Sequence, residues 1–180
     1  MSRRVHILLA VIMTLSLVLG PVSGLRPAAA GATVITLTIG SPTMTVNGVS
    51  QPIDAGGTTP VIIGGRTLLP IRAVVEAIGG TIEWNAATRT VTITAKAVTM
   101  SLTIGNRMAT VNGTKLAIDP QNPSVVPVIV GGRTMLPLRF VGEQLGGTVD
   151  WDGTTRTATL TFTAPVPLTA PRLMEPADGA

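Results

Sequence analysis

Most of this chain occurs in it twice. Leu37-Thr38-Ile39-Gly40 returns as Leu102-Thr103-Ile104-Gly105, and Thr45-Val46-Asn47-Gly48 as Thr110-Val111-Asn112-Gly113. After a slightly longer second loop, Gly64-Gly65-Arg66-Thr67-Leu68-Leu69-Pro70-Ile71-Arg72 returns as Gly131-Gly132-Arg133-Thr134-Met135-Leu136-Pro137-Leu138-Arg139. Glu76 matches Glu143, Gly79-Gly80 matches Gly146-Gly147, and Trp84 matches Trp151. Self-similarity on this scale restricts the fold to duplicated supersecondary units. One unit is about 65 residues, a size at which a core is marginal without staples. The two units are therefore expected to pack together, with a seam near Ala95-Lys96-Ala97.

The local pattern of one unit predicts its elements. Val34 to Ile39 alternates apolar residues with threonine, as a half-buried strand does. Asn47-Gly48 and Asn112-Gly113 sit between alternating runs and predict tight hairpin turns. Gly64-Gly65 and Gly131-Gly132 close a second hairpin in each unit. The period then changes to helical: Ile71, Val74, Val75 and Ile78 form one stripe, opened by Pro70 and closed by Gly79. Leu138, Val141 and Leu145 repeat it, interrupted by Gly142. So short a helix must be covered by sheet. A further hairpin follows, through Asn85-Ala86-Ala87 in one copy and Asp152-Gly153 in the other. The expected class is α+β: a duplicated unit of antiparallel β-hairpins wrapped on a short helix.

The two ends differ from the repeats. Arg3 and Arg4 precede an apolar run from Ile7 to Leu19, Gly20-Pro21 breaks it, and Ala28-Ala29-Ala30 follows. That order predicts a secretory signal peptide over residues 1–30, with a mature chain starting at or near Gly31. The run is shorter than the roughly 20 residues of a membrane span, so no stable span is expected after cleavage. The first repeat occupies 31–96 and the second 97–163. Residues 164–180, punctuated by Pro165, Pro167, Pro171 and Pro176, predict an extended, disordered tail. The expected location is extracellular or in the cell envelope.

Cleavage changes the charge. Of 13 basic residues Arg3, Arg4 and Arg26 leave while all 9 acidic residues stay, so a net charge of +4 falls to about +1. Nucleic acid is not an expected partner on that balance. The chain has no cysteine and no tyrosine, and its one histidine, His6, lies in the signal. Thiol chemistry and disulfides are thereby excluded, and a catalytic reading is disfavoured, since most schemes need a histidine or an unusual carboxylate pair.

The Asn-Gly turn, the Gly-Gly-Arg-Thr-Leu-Leu-Pro-Ile-Arg stretch, the short helix with its glutamate, the Gly-Gly after it and Glu83-Trp84-Asn85 or Asp150-Trp151-Asp152 resemble the copper amine oxidase N-terminal-like domain, also called the stalk domain. The resemblance covers residues 34 to 163, in two tandem copies. Its most specific part is Pro137 to Gly147. It implies a twisted antiparallel sheet wrapped on a helix and a non-catalytic role. In the oxidases a separate domain carries three histidine copper ligands and a quinone made from tyrosine. This chain can build neither, so no cofactor is expected.

The residues of the motif are Arg66, Pro70, Arg72, Glu76 and Trp84, and their counterparts Arg133, Pro137, Arg139, Glu143 and Trp151. Arg72 with Glu76, and Arg139 with Glu143, are one helical turn apart and predict ordinary ion pairs, worth about 0.3–0.5 kcal/mol if exposed. Trp84 and Trp151 share strand parity with Ile82 and Val149, so both indoles are expected inward, with Arg89 and Arg156 placed to cover the rings. Asp150-Trp151-Asp152-Gly153 opens like a calcium loop but lacks the closing glutamate, and a hairpin turn accounts for it. Thr90, Thr92, Thr94 and Thr157, Thr159, Thr161, Thr163 line one side of their strands. A wet sheet face accounts for them, since threonine is the best polar strand former; an array that meets an ordered surface is the alternative.

Together these features predict an exported, non-catalytic module that makes contacts in the cell envelope. Its partner would be a wall polymer or another envelope protein. The alternatives are an envelope glycan-acting enzyme using Glu83, Asp150 or Asp152, and a surface binder acting through its threonine faces.

Overall fold

A computed structural model describes residues 31–163. The signal peptide and the Pro-rich tail expected from the sequence lie outside the described residues. In the first half the order is β1 (Thr33–Thr38), β2 (Thr43–Val46), β3 (Val49–Pro52), β4 (Val61–Ile63), β5 (Arg66–Leu69), α1 (Arg72–Ala77), β6 (Thr81–Asn85) and β7 (Thr90–Ala95). The second half follows the same order: β8 (Val98–Thr103), β9 (Met108–Val111), β10 (Thr114–Ala117), β11 (Val128–Val130), β12 (Arg133–Pro137), α2 (Leu138–Gln144), β13 (Thr148–Asp152) and β14 (Thr157–Phe162). Among the described residues the protein is mainly β, with antiparallel sheets and two short helices.

The tight turns form where the sequence places left-handed residues. Asn47-Gly48 and Asn112-Gly113 both have positive φ at the two central positions, the requirement of a hairpin whose twist matches its strands. Each asparagine also accepts a hydrogen bond from the strand beside its hairpin, Asn47 Oδ1 from the Val34 N–H of β1 and Asn112 Oδ1 from the Thr99 N–H of β8, both at 2.9 Å.

The repeats do not each wrap a sheet on their own helix, as the sequence led us to expect. Three sheets are shared between them. One runs β13-β14-β1-β2-β3, the second β10-β9-β8-β7-β6 and the third β11-β12-β5-β4. The first described strand thus pairs with the last, from Thr33↔Phe162 to Thr38↔Thr157. In the third sheet Leu136 pairs with Leu69, its own counterpart in the other repeat. A residue facing its own equivalent is the mark of a two-fold relation between halves. The seam at Ala95-Lys96-Ala97 is the end of β7 and the two-residue turn Lys96-Ala97 of the β7–β8 hairpin, inside the second sheet.

The core follows from this sharing. Ile35, Leu37, Met44 and Leu69 of the first half and Leu136, Val141, Leu160 and Phe162 of the second belong to one buried cluster. A single core is what two units too small to stand alone require. The helices sit close to the sheets because glycine allows it. A Cβ on Gly142 would lie 2.9 Å from Val149 and 3.0 Å from Leu160, and one on Gly147 would lie 2.6 Å from the Phe162 ring. Gly142, which interrupts the apolar stripe in the sequence, is the contact face of α2.

Candidate functional site

Two grooves lie at equivalent places in the halves, with volumes of about 790 Å³ and about 550 Å³. Each is built from both repeats. The smaller takes α1, Trp84 and the Ile53-Asp54 loop from the first half, and Ile129 and Arg133 of the β11–β12 hairpin from the second. The larger takes α2, Trp151 and the Ile118-Asp119 loop from the second half, and Ile62 and Arg66 of the β4–β5 hairpin from the first.

An ion pair between halves closes each groove at one side. Arg133 Nε donates to Asp54 Oδ2 at 2.8 Å, and Arg66 Nε donates to Asp119 Oδ2 at 2.7 Å. The arginines keep close to half their side-chain surface exposed while the aspartates are largely covered. Hydrogen bonds from Thr58, hydroxyl first and then N–H, hold Asp54 well below the usual carboxylate range; Arg133 and the Gly56 N–H add to them against the pull of burial. Burial pushes Asp119 up, but the Gln121 N–H, the Arg66 hydrogen bond and charge, and the Asn122 N–H outweigh it and hold it low. The Asn122 amide also donates to the Gly64 carbonyl at 2.8 Å, a second tie between halves.

Arg72 Nη1 lies 3.6 Å from Glu76 Oε1, and Arg139 Nη1 lies 3.4 Å from Glu143 Oε1. These pairs are about half exposed and stand on the helix wall of each groove. Pro70 and Pro137 are buried at the entry to their helices.

The tryptophans require a correction. Trp84 is 42% exposed and Trp151 40%, not buried. Their strand parity is as expected: Trp84 pairs with Val91 in register and lines the groove with Ile82 and Val91. Coverage is what differs. Each helix has only six or seven residues and packs against the strand that follows it, Gly142 of α2 facing Val149; it leaves the indole two positions after Ile82 or Val149 half exposed, as a groove wall. Arg89 and Arg156 do not cover the rings. They take the left-handed position in their turns, and their carbonyls accept from the Ile104 and Ile39 N–H groups at 3.0 Å. Among the described residues the cation–π contact is Lys96 over Phe162, at 4.8 Å.

The sequence reading missed Asp54 and Asp119, and also Ile62 and Ile129, which are both 44% exposed. A signal was available. Ile53-Asp54 and Ile118-Asp119 recur at matching positions, as the arginines do. Two reciprocal Arg–Asp pairings follow from that recurrence once a two-fold arrangement is assumed.

The outer sheet faces carry rows of hydroxyls. Asp150, Thr159, Thr36, Thr45 and Ser50 stand side by side across the first sheet. Glu83, Thr92, Ser101, Thr110 and Lys115 do so across the second. Neighbouring hydroxyls bond each other, Thr38 to Thr157 at 3.0 Å and Thr90 to Thr103 at 2.9 Å. Asp152 accepts from the Thr154 and Thr155 N–H groups, as a turn residue does. The described residues contain no histidine, cysteine or tyrosine, and no three carboxylates group together as metal ligands. That donor set does not fit copper.

The family model for the copper amine oxidase N-terminal domain matches residues 55–160. Neither the curated proteins nor the solved structures contain a significant match.

Proposed function

We propose, given that this chain belongs to the copper amine oxidase N-terminal domain family and that this domain is non-catalytic and stalk-like, that it is an exported module making contacts in the cell envelope. The contacts are made by the two grooves, with a wall polymer or another envelope protein as ligand. One observation carries this reading. The chain has no tyrosine and both of its phenylalanines are buried, yet its two indoles stand exposed at equivalent grooves, each opposite an exposed isoleucine of the other half. An exposed indole offers a flat apolar face for a sugar ring or an extended peptide, and the neighbouring Arg–Glu pair offers hydrogen bonds at no net charge. Two equivalent grooves on one rigid body suit a repeating ligand, since the second contact profits from the first.

Trp84→Ala and Trp151→Ala test this. Each variant should bind purified wall fractions or envelope extracts less well, and the double variant should lose binding, while all remain folded. Unchanged binding by the double variant overturns the groove assignment.

The hydroxyl rows favour a second reading, a surface binder acting through its threonine faces. Under it, Thr36→Lys with Thr159→Lys would remove binding and the tryptophan variants would not.

A further inference from the structure

The halves of this protein complete each other, and a single turn joins them. β1 pairs with β14, β7 with β8, and β5 with β12. Both buried-side ion pairs, Arg66–Asp119 and Arg133–Asp54, run from one half to the other. Among the described residues each five-stranded sheet takes strands from both halves. Between the halves the chain passes only through Lys96-Ala97.

That turn is unlike its relatives. Four other two-residue hairpin turns have positive φ at both positions, and they use Asn47-Gly48, Gly64-Gly65, Asn112-Gly113 and Gly131-Gly132. Lys96 and Ala97 adopt the same conformation, at φ 49° and 64°, without glycine or asparagine. An alanine there holds its Cβ against the backbone, which the left-handed region disfavours. Straightening the turn relieves both residues and joins β7 to β8 as one long strand.

We propose that Lys96-Ala97 is a hinge through which two copies of the chain exchange halves. In the exchanged dimer β7 of one copy pairs with β8 of the other, and β1 with β14. The registers, the core and the reciprocal ion pairs are those of the monomer, now formed between chains. Since the closed and exchanged forms share every contact outside the turn, the turn and the protein concentration set the balance between them.

The test uses the absence of cysteine. Thr38 and Thr157 have their hydroxyls 3.0 Å apart, on opposite halves. Thr38→Cys and Thr157→Cys are made as separate proteins, unfolded together, refolded at high concentration and oxidised. Exchange gives a mixed disulfide far above that formed when the two folded proteins are mixed without unfolding. A second arm follows mass by light scattering after the same refolding. The parent should contain a dimer that persists on dilution, Lys96→Asn with Ala97→Gly should lose it, and deletion of both residues should give a dimer only. No excess of mixed disulfide over the unrefolded control overturns the proposal, as does a folded deletion variant that is monomeric.

Discussion

Gly147→Ala adds one methyl group where the link from α2 to β13 runs closest over the sheet in the second half. Built on the observed backbone, the new carbon lies 2.6 Å from Cε1 of Phe162, 2.8 Å from Cδ1 and 3.0 Å from Cζ. Carbon pairs are comfortable at about 3.5–4.0 Å, so the ring must shift by roughly 1 Å. Three consecutive ring atoms are struck, which rotation alone does not relieve. Phe162 is 1% exposed and belongs to the shared core. Overpacking of such a site costs about 1–3 kcal/mol. Gly147 has no left-handed φ, so the backbone adds no strain, and loss of unfolded-state freedom returns about 0.4–1 kcal/mol. The net expectation is a destabilisation of about 1–2 kcal/mol, or about 3–8 °C in Tm for a fold of this size. Denaturant unfolding followed by tryptophan fluorescence reads it directly. Gly153→Ala is the control: its Cβ meets only Trp151 Nε1, at 3.6 Å, and it should leave stability unchanged or raise it by up to about 1 kcal/mol. Phe162→Leu should remove most of the penalty of Gly147→Ala when the two are combined. A Gly147→Ala protein as stable as its parent would show that Phe162 does not press on this backbone, and the packing argument would fail.

Three further outcomes are expected. Asp54 is ionised below its ordinary value of 3.8 in the fold, so its contribution is complete above that pH and declines as pH falls through the folded value; acid unfolding should therefore be less steep in Asp54→Asn, and equal slopes refute the Asp54 cradle. If residues 1–30 are a signal peptide, protein recovered from outside the cell should begin at or near Gly31, as N-terminal sequencing would show, and retention of residues 1 to 25 overturns the signal reading. The purified protein should take up no stoichiometric copper and oxidise no amine; equimolar copper surviving chelation in a metal analysis contradicts the donor-set argument.

Local features were legible in the sequence and shared ones were not. The Asn-Gly and Gly-Gly turns, the strand alternation and the helix stripes through Val74–Val75 and Val141 depend on neighbours within a few residues, and they appear where the pattern puts them. Which strand pairs with β1 depends on partners more than a hundred residues away, and the shared threonine alternation of β7 and β14 leaves either partner acceptable to a local pattern. Trp84 shows the same limit at one site. Parity gives the face of a strand, but exposure depends on how far a six-residue helix reaches along it. Arg66 and Arg133 were recognised as motif residues from their recurrence, while their carboxylate partners emerged only with the crossing of the halves.

The pairing of Thr33 with Phe162 also has a mechanical meaning. Whatever precedes the first strand and whatever follows the last leave the fold from neighbouring points at one end of the same ladder. Tension applied through both attachments would open β1 from β14 one hydrogen bond at a time, as a zip opens, instead of loading the whole ladder in shear. Folded, the module adds almost no length between its attachments and hangs as a pendant. Unfolded entirely between those points, its chain releases on the order of 400 Å at about 3.3–3.6 Å per residue. A protein tied into an envelope by both ends would thus carry a reserve of slack, let out once the opened ladder no longer holds the fold and recovered when the chain refolds.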